Sequence, residues 1–229
     1  RKVAEEDICE ADVVIYVISR ISGEGKDRRR VKGDYYLSER EEEDLRYLAE
    51  MNKPVILILN AGGPVELTDI LEQTDNIKGI LNISQLGQEG GDALADVLLG
   101  KEVPGGKLTT TWARRYEDYP ASEEYGYLNG NLEKEKYKEG IYVGYRYFDS
   151  FDKKVMFPFG FGLSYTMFEM KCCSINMEES KIRAEVQVTN TGNEYAGKEV
   201  VQIYVTLPQT ELEKEYKRLA GFAKTRLLK

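Results

Sequence analysis

One short stretch holds the residues best suited to chemistry: Gly23-Glu24-Gly25-Lys26-Asp27-Arg28, which follows the apolar run "VVIYVIS" at residues 13–19. A carboxylate set between two glycines has no bulky neighbours, and glycine admits backbone angles closed to other residues. The functional reading is a glutamate presented to a partner or a substrate. The same pattern also describes an exposed glutamate in a glycine-rich turn, and on the residues alone that reading is favoured. A phosphate cradle is the other chemistry to weigh. "GEGKDR" supplies the first two glycines of G-x-G-x-x-G, but Arg28 stands at the third, and no acidic ribose partner follows a second strand at the expected distance. "GQEGG", ahead of the helix near Ala93, could offer backbone amides to an anion, and a plain helix-entry turn explains it equally well. The chain has no histidine, which removes Ser-His-Asp and Cys-His catalysis and most zinc sites from it.

The elements that must position Glu24 can be read from periodicity. "DVVIYVIS" is a β-branched run of the kind a parallel strand buried on both faces requires. Ser38 and Glu41 form a capping box, and Leu45, Leu48 and Ala49 give the following helix an apolar stripe. "KPVILILNAGG" predicts a second buried strand, "LTDILEQ" a short helix and "IKGILNIS" a third strand. In "GGDALADVLLG", Ala93, Leu94, Val97 and Leu98 share one helix face, and Gly100 is the stop. "GKLTTTW" predicts a fourth, shorter strand, and residues 113–136 a long polar loop. Strands alternating with helices make this an α/β domain with a mostly parallel sheet sandwiched by helices. In such sheets the functional loops lie at the carboxyl ends of the strands, where Glu24 sits.

Residues 137–166 are rich in tyrosine and glycine, and the ring density suits either a ligand wall or a hydrophobic plug between domains, with the plug favoured. From about Phe168 the pattern becomes all-β. "KIRAEVQVTNTGNEYAGKEVVQIYVTLP" gives two alternating strands around an Asn-Thr-Gly-Asn turn, as in an antiparallel sandwich. A complete sandwich needs ~100 residues, more than remain here. The expected division is an N-terminally incomplete α/β domain over 1–166 and a C-terminally incomplete sandwich over 167–229. The unpaired edges of a partial sandwich invite pairing with a second copy, so a homodimer is one admitted arrangement.

Bulk properties narrow the partners. The 229 residues carry a formal charge of −8, which disfavours nucleic acid, and no apolar run reaches the ~20 residues of a membrane span. The chain begins at Arg1 rather than Met and is expected to be a fragment. Cys9, Cys172 and Cys173 are odd in number and two are adjacent, so reduced, buried thiols and a cytoplasmic location are expected.

Several strings in order point further: "ISGEGKDR", "VILILNAGGPVE", "QEGGDALADVLLGKEVPGGKLTTTW", "YKEGIYVGYRYFD", "FPFGFGLSYTMF" and "VQVTNTGNEYAGKEVVQIYV". Together they resemble the C-terminal half of family 3 glycoside hydrolases, the β-glucosidase family, over nearly the whole chain. "GIYVGYRYFD" and "FGLSYT" are the most specific of them. The resemblance implies an N-terminal (β/α)8 barrel carrying an aspartate nucleophile, an α/β sandwich domain, and a fibronectin type III-like (immunoglobulin-like) domain. In many members the α/β domain lends the general acid/base from a loop glutamate. The matching segment here is "SGEGKDR", so that role falls on Glu24. Asp27 and Arg28 belong to the same motif and are expected to pair, to shape the loop and to take part in substrate binding. The implied partners are the barrel of the same parent protein, in ordinary or permuted order, and an oligosaccharide or glycoside substrate. No cofactor or metal is implied. The competing readings are a non-catalytic sugar-binding or scaffolding module, with Tyr142, Tyr145 and Tyr147 as stacking surfaces, and a nucleotide-binding domain, which fails on the incomplete glycine motif.

Overall fold

Val55, Leu57, Ile58 and Leu59 are fully buried, and the strand they form, β2 (Val55–Asn60), is the centre from which the rest of the α/β unit is organised. Burying one such side chain stabilises by about 1.5–3 kcal/mol. The computed structural model describes residues 5–21, 28–125, 133–134, 136–179, 181–208 and 210–229. Contacts gather these into two compact units, residues 1–90 with 113–136 and residues 91–112 with 137–229.

In the first unit, α1 (Glu5–Glu10) leads into β1 (Val14–Ser19), and α2 (Glu39–Glu50) connects β1 to β2. Then α3 (Thr68–Gln73) connects β2 to β3 (Ile77–Asn82). The three strands form a parallel sheet in the order β1-β2-β3, with Val14 through Ser19 of β1 facing Val55 through Asn60 of β2 in unbroken register. The capping box at α2 forms as expected. Ser38 Oγ accepts from the Glu41 amide at 3.2 Å, and the Ser38 amide donates to Glu41 Oε2 at 2.7 Å. Leu45 and Leu48 of α2 are buried, and the Tyr16 hydroxyl donates to Asp44 Oδ2 at 3.1 Å.

β1 departs from the expectation of burial on both faces. Val13, Ile15 and Val17 are 43, 50 and 52% exposed, while Ile18 is fully buried. Side chains alternate across a strand, so one face of β1 lies against the core and the other is left uncovered by the described residues. The long loop expected after residue 113 carries a 3-10 turn at Tyr116–Asp118, whose Tyr116 ring meets Tyr35 edge to face at 5.0 Å.

The second unit holds α4 (Gly90–Leu98) from Gly91 onward, with Gly100 at φ +71° as its stop. Its apolar face is only half-buried at Leu94, Val97 and Leu98. The expected strand over "GKLTTTW" shrinks to β4 (Trp112–Ala113). Leu108 instead bonds the turn at residues 160–161, accepting from the Gly160 amide and donating to the Phe161 carbonyl, each at 2.8 Å. α5 (Tyr145–Ser150) and β5 (Val155–Phe157) follow. Four antiparallel strands complete the unit: β6 (Phe168–Glu178), β7 (Lys181–Asn190), β8 (Val200–Val205) and β9 (Arg218–Lys224). β6 pairs with β7 and β8 with β9. The Asn-Thr-Gly-Asn stretch is therefore a crossover between two sheets rather than a hairpin. Asn190 anchors it, accepting from the Gly192 amide at 3.1 Å and donating to the Tyr195 carbonyl at 2.8 Å. The fold class is thus an α/β sheet followed by the strands of a β-sandwich, as expected from the sequence.

Candidate functional site at the carboxyl edge of the sheet

Chain leaving the carboxyl ends of β1, β2 and β3 meets at Arg20. Its amide donates to the Asn60 carbonyl at the end of β2 (3.0 Å). Its own carbonyl accepts from Gln85 Nε2 beyond β3 (3.3 Å). The side chain is only 5% exposed, a setting in which a guanidinium must be paired. Every N–H is satisfied. Nε donates to the Asp34 carbonyl at 2.7 Å, Nη1 to the Ser19 carbonyl at 2.9 Å and to Glu41 Oε1 at 2.8 Å, and Nη2 to the Tyr36 carbonyl at 3.2 Å and to Glu41 Oε2 at 2.7 Å. The last pair is a bidentate fork, the strong form of an arginine–carboxylate contact. Burial pushes the Glu41 carboxyl up, but the bonds from Arg20 and Ser38 outweigh it, and its pKa lies below the ordinary value.

Arg28 stands on the other side of the 22–27 segment. Its side chain is mostly buried. Nε donates to Asp34 Oδ1 at 2.9 Å, Nη1 to the Pro64 carbonyl beyond β2 at 2.6 Å, and Nη2 to the Asp34 carbonyl. Asp34 Oδ2 accepts from the Arg29 amide at 2.7 Å. Burial pushes the Asp34 carboxyl up, yet these bonds and the two arginine charges hold it below the ordinary range.

A second layer supports this edge. The Glu66 amide donates to the Tyr35 carbonyl at 3.0 Å, and Glu66 accepts from the Tyr116 amide at 2.9 Å and from Arg115 at 3.2 Å. Burial, together with Tyr119, pushes the Tyr35 phenol far above its ordinary range, so it remains a neutral packing group. Arg30 lies over the Tyr116 ring at 4.9 Å and pairs with Glu117.

Of the residues singled out from the sequence, Glu24 and Asp27 lie outside the described residues. Arg28 is described, and the N–H groups traced above go to Asp34 and Pro64. Arg20 and Asp34 were missed. The available signal for Arg20 was its position: a charge flush against the end of a buried strand needs a built counter-ion. Glu41 was identified only as a capping residue, whereas its carboxylate serves Ser38 and Arg20 together.

The aromatic segment of the second unit packs internally. Tyr145 lies 4.9 Å from Phe159 and 5.8 Å from Tyr204, and its hydroxyl accepts from the Leu219 amide at 2.8 Å. Tyr142 and Tyr147 meet Phe151 at 4.9 and 5.1 Å. A cavity of about 60 Å³ bordered by Tyr145, Phe159 and Tyr204 is far below the ~300–1,000 Å³ of ordinary ligand sites. Among the described residues, no cluster of three or more metal-ligating side chains forms and no helix is long and apolar enough to cross a membrane. The three thiols are free and exposed rather than buried.

The chain is similar to known proteins over most of its length. The profile of the glycosyl hydrolase family 3 C-terminal domain matches residues 1–145. The chain is 40% identical to beta-glucosidase A of Butyrivibrio fibrisolvens, over 95% of this chain and 30% of that protein. Among solved structures, beta-glucosidase 3B from Thermotoga neapolitana in complex with glucose superposes with a TM-score of 0.90 at 43% identity, over 99% of this chain and 32% of that one. A beta-glucosidase from Paenibacillus barengoltzii gives 0.91 at 37% identity, over 99% and 25%. The chain thus spans a third or less of the length of these relatives. With a family profile across most of the chain and the same fold at 43% identity, it belongs to glycosyl hydrolase family 3, within the C-terminal portion of that family's proteins.

Proposed function

We propose that this chain is the acid/base-bearing portion of a retaining β-glucosidase whose nucleophile resides in a (β/α)8 barrel of the same parent protein. The observation that carries the proposal is the family match over residues 1–145; in support, Arg20 and Arg28, which bracket the Glu24 stretch in the sequence, are each bonded at the carboxyl edge of the parallel sheet. The relatives' names and the glucose complex support a β-glucoside as substrate. In the first step the barrel carboxylate attacks the anomeric carbon, the glycosidic C–O bond breaks, and Glu24 gives its proton to the leaving oxygen. In the second, Glu24 takes a proton from water as that water attacks the anomeric carbon and frees the enzyme carboxylate. Asp27 and Arg28 fit a role in shaping this loop next to the sugar. The aromatic packing of Tyr142, Tyr145 and Tyr147 speaks against their use as a stacking surface in a non-catalytic module. Three exposed free thiols suit a reducing compartment such as the cytoplasm.

Leaving-group dependence tests the assignment in the intact enzyme. Glu24→Ala should lower kcat/KM by about 10²- to 10⁴-fold for cellobiose-like substrates, which need a proton at the leaving oxygen. It should change little for dinitrophenyl glucoside, whose phenolate departs unprotonated. Azide, which needs no base, should then restore turnover and yield a glycosyl azide of retained configuration. A flat leaving-group series with no azide product would remove Glu24 from this role.

A further inference from the structure

The carboxyl end of α4 opens onto a recess. A cavity of about 400 Å³ lies there, lined by Leu98, Leu99, Gly100, Tyr165 and Tyr195, all within the second unit. Its volume falls in the ~300–1,000 Å³ range of ordinary ligand sites. Two tyrosine rings form its aromatic wall, with centroids 5.8 Å apart and planes inclined at 59°. The Tyr165 hydroxyl donates to the Val97 carbonyl at 3.0 Å, which ties that ring to the last turn of the helix. Gly100 seats the other ring: a Cβ at this position would meet the Tyr195 hydroxyl oxygen at 3.1 Å and its Cε1 at 3.3 Å. The helix stop and the close approach of the ring therefore need the same glycine. Leu99 stands 69% exposed beside them. Tyr195 accepts from Asn190 through its carbonyl, while no hydrogen bond among the described residues engages its hydroxyl.

From this we infer that the recess is a sugar-binding site, taking a pyranose unit of a β-linked gluco-oligosaccharide against Tyr165 and Tyr195. A β-glucopyranose carries its ring hydroxyls equatorially, so both of its faces are C–H surface and its polarity is confined to the edge. Such a ring needs flat apolar walls and a polar partner at the margin. The two inclined tyrosines with Leu98 and Leu99 offer the walls, and the Tyr195 hydroxyl offers the partner. A charged ligand is served less well. The lining residues include neither a cation nor a carboxylate, and Lys101, next in the chain, is paired with Asp96 at 3.1 Å. Rings held in place before the ligand arrives lose little freedom on binding. The choice of glucose rests on the β-glucoside reading of the parent enzyme, whereas binding at these residues can be measured without turnover.

The test is equilibrium dialysis of the intact parent enzyme against isotope-labelled, thio-linked cellotriose, a probe that is bound but not hydrolysed. The wild type should hold one equivalent, with a Kd of about 1 mM, that Tyr195→Ala lacks. Tyr195→Phe keeps the ring and loses one neutral hydrogen bond, so it should weaken that equivalent by less than about 10-fold. Leu99→Ser, at an exposed position, should weaken it as well and carries the test if Tyr195→Ala does not fold. Equal binding by the wild type and both of the disruptive variants, or no such equivalent in the wild type, would overturn the site. Tetramethylammonium is dialysed in parallel. If it is bound and then lost in Tyr195→Ala, with no sugar equivalent, the recess takes cations and the sugar assignment falls. A flat Glu24→Ala series beside a probe equivalent lost in Tyr195→Ala would remove the acid/base reading and keep the recess. A steep Glu24→Ala series with no equivalent lost in Tyr195→Ala would remove the recess alone.

Discussion

At the residue scale, Arg20 and Glu41 decide how the sheet edge responds to mutation and to acid. Removing the guanidinium leaves a carboxylate short of its main partner in a largely buried place, a change that typically costs about 3–5 kcal/mol. Arg20→Met should therefore lower the urea unfolding free energy by roughly 3 kcal/mol at neutral pH. The pH dependence has a definite sign. In the native protein Glu41 and Asp34 are held below their ordinary values of 4.5 and 3.8. Their contribution to stability is complete above those values and is lost as the pH falls through the lower folded values. In Arg20→Met the burial that pushes Glu41 up is no longer opposed by Arg20, and protonated Glu41 needs no ionic partner. The gap between variant and native protein should therefore narrow below pH 4.5. Urea titrations at pH 7 and pH 4 would show it, and a gap that does not change would mean the pair is not what stabilises this edge. Arg20 was also the least legible residue here. Its role depends on carbonyls at positions 34 and 36, brought to it by a turn whose shape no periodicity reveals.

At the element scale, what could be read was whatever local chemistry fixes. The Ser38–Glu41 box, the apolar stripe of α2 and the Gly100 stop are short-range devices, and each appears where the sequence put it. The two faces of β1 could not be told apart, because β-branched residues occupy both and only the neighbours decide which is covered. The same reasoning explains the shortened fourth strand, where Leu108 finds its partners in a turn more than fifty residues later. The open face of β1 yields a direct comparison. Val17→Thr, on that face, should change stability by no more than about 0.5 kcal/mol and should reduce binding of a hydrophobic dye. Leu57→Ala, at the buried centre, should cost about 2–5 kcal/mol. Denaturant midpoints for the two variants settle the matter, and similar losses would show that the β1 face is covered in solution.

At the scale of the whole molecule, one carboxylate is not a glycosidase. The retaining route needs two, about 5–5.5 Å apart, one of which bonds to the sugar. The purified 229-residue chain is accordingly expected to show no turnover of an aryl β-glucoside, while the parent enzyme does; measurable hydrolysis by the chain alone, free of contaminating enzyme, would contradict the proposed division of labour. Glu41 has one more consequence, and it concerns motion rather than binding. Its carboxylate closes the first turn of α2 and holds Arg20 at once, so fraying of that helix and release of the arginine are one opening event. Local openings of this kind set the rate at which amide hydrogens exchange with solvent. Ser38→Ala, which weakens the cap by about 1 kcal/mol, should hasten exchange at the Glu42 amide, whose acceptor is the Ser38 carbonyl, and at the Arg20 amide by the same factor of about five. The helix start would then act as a latch whose breathing rate can be read, amide by amide, at the carboxyl end of β1.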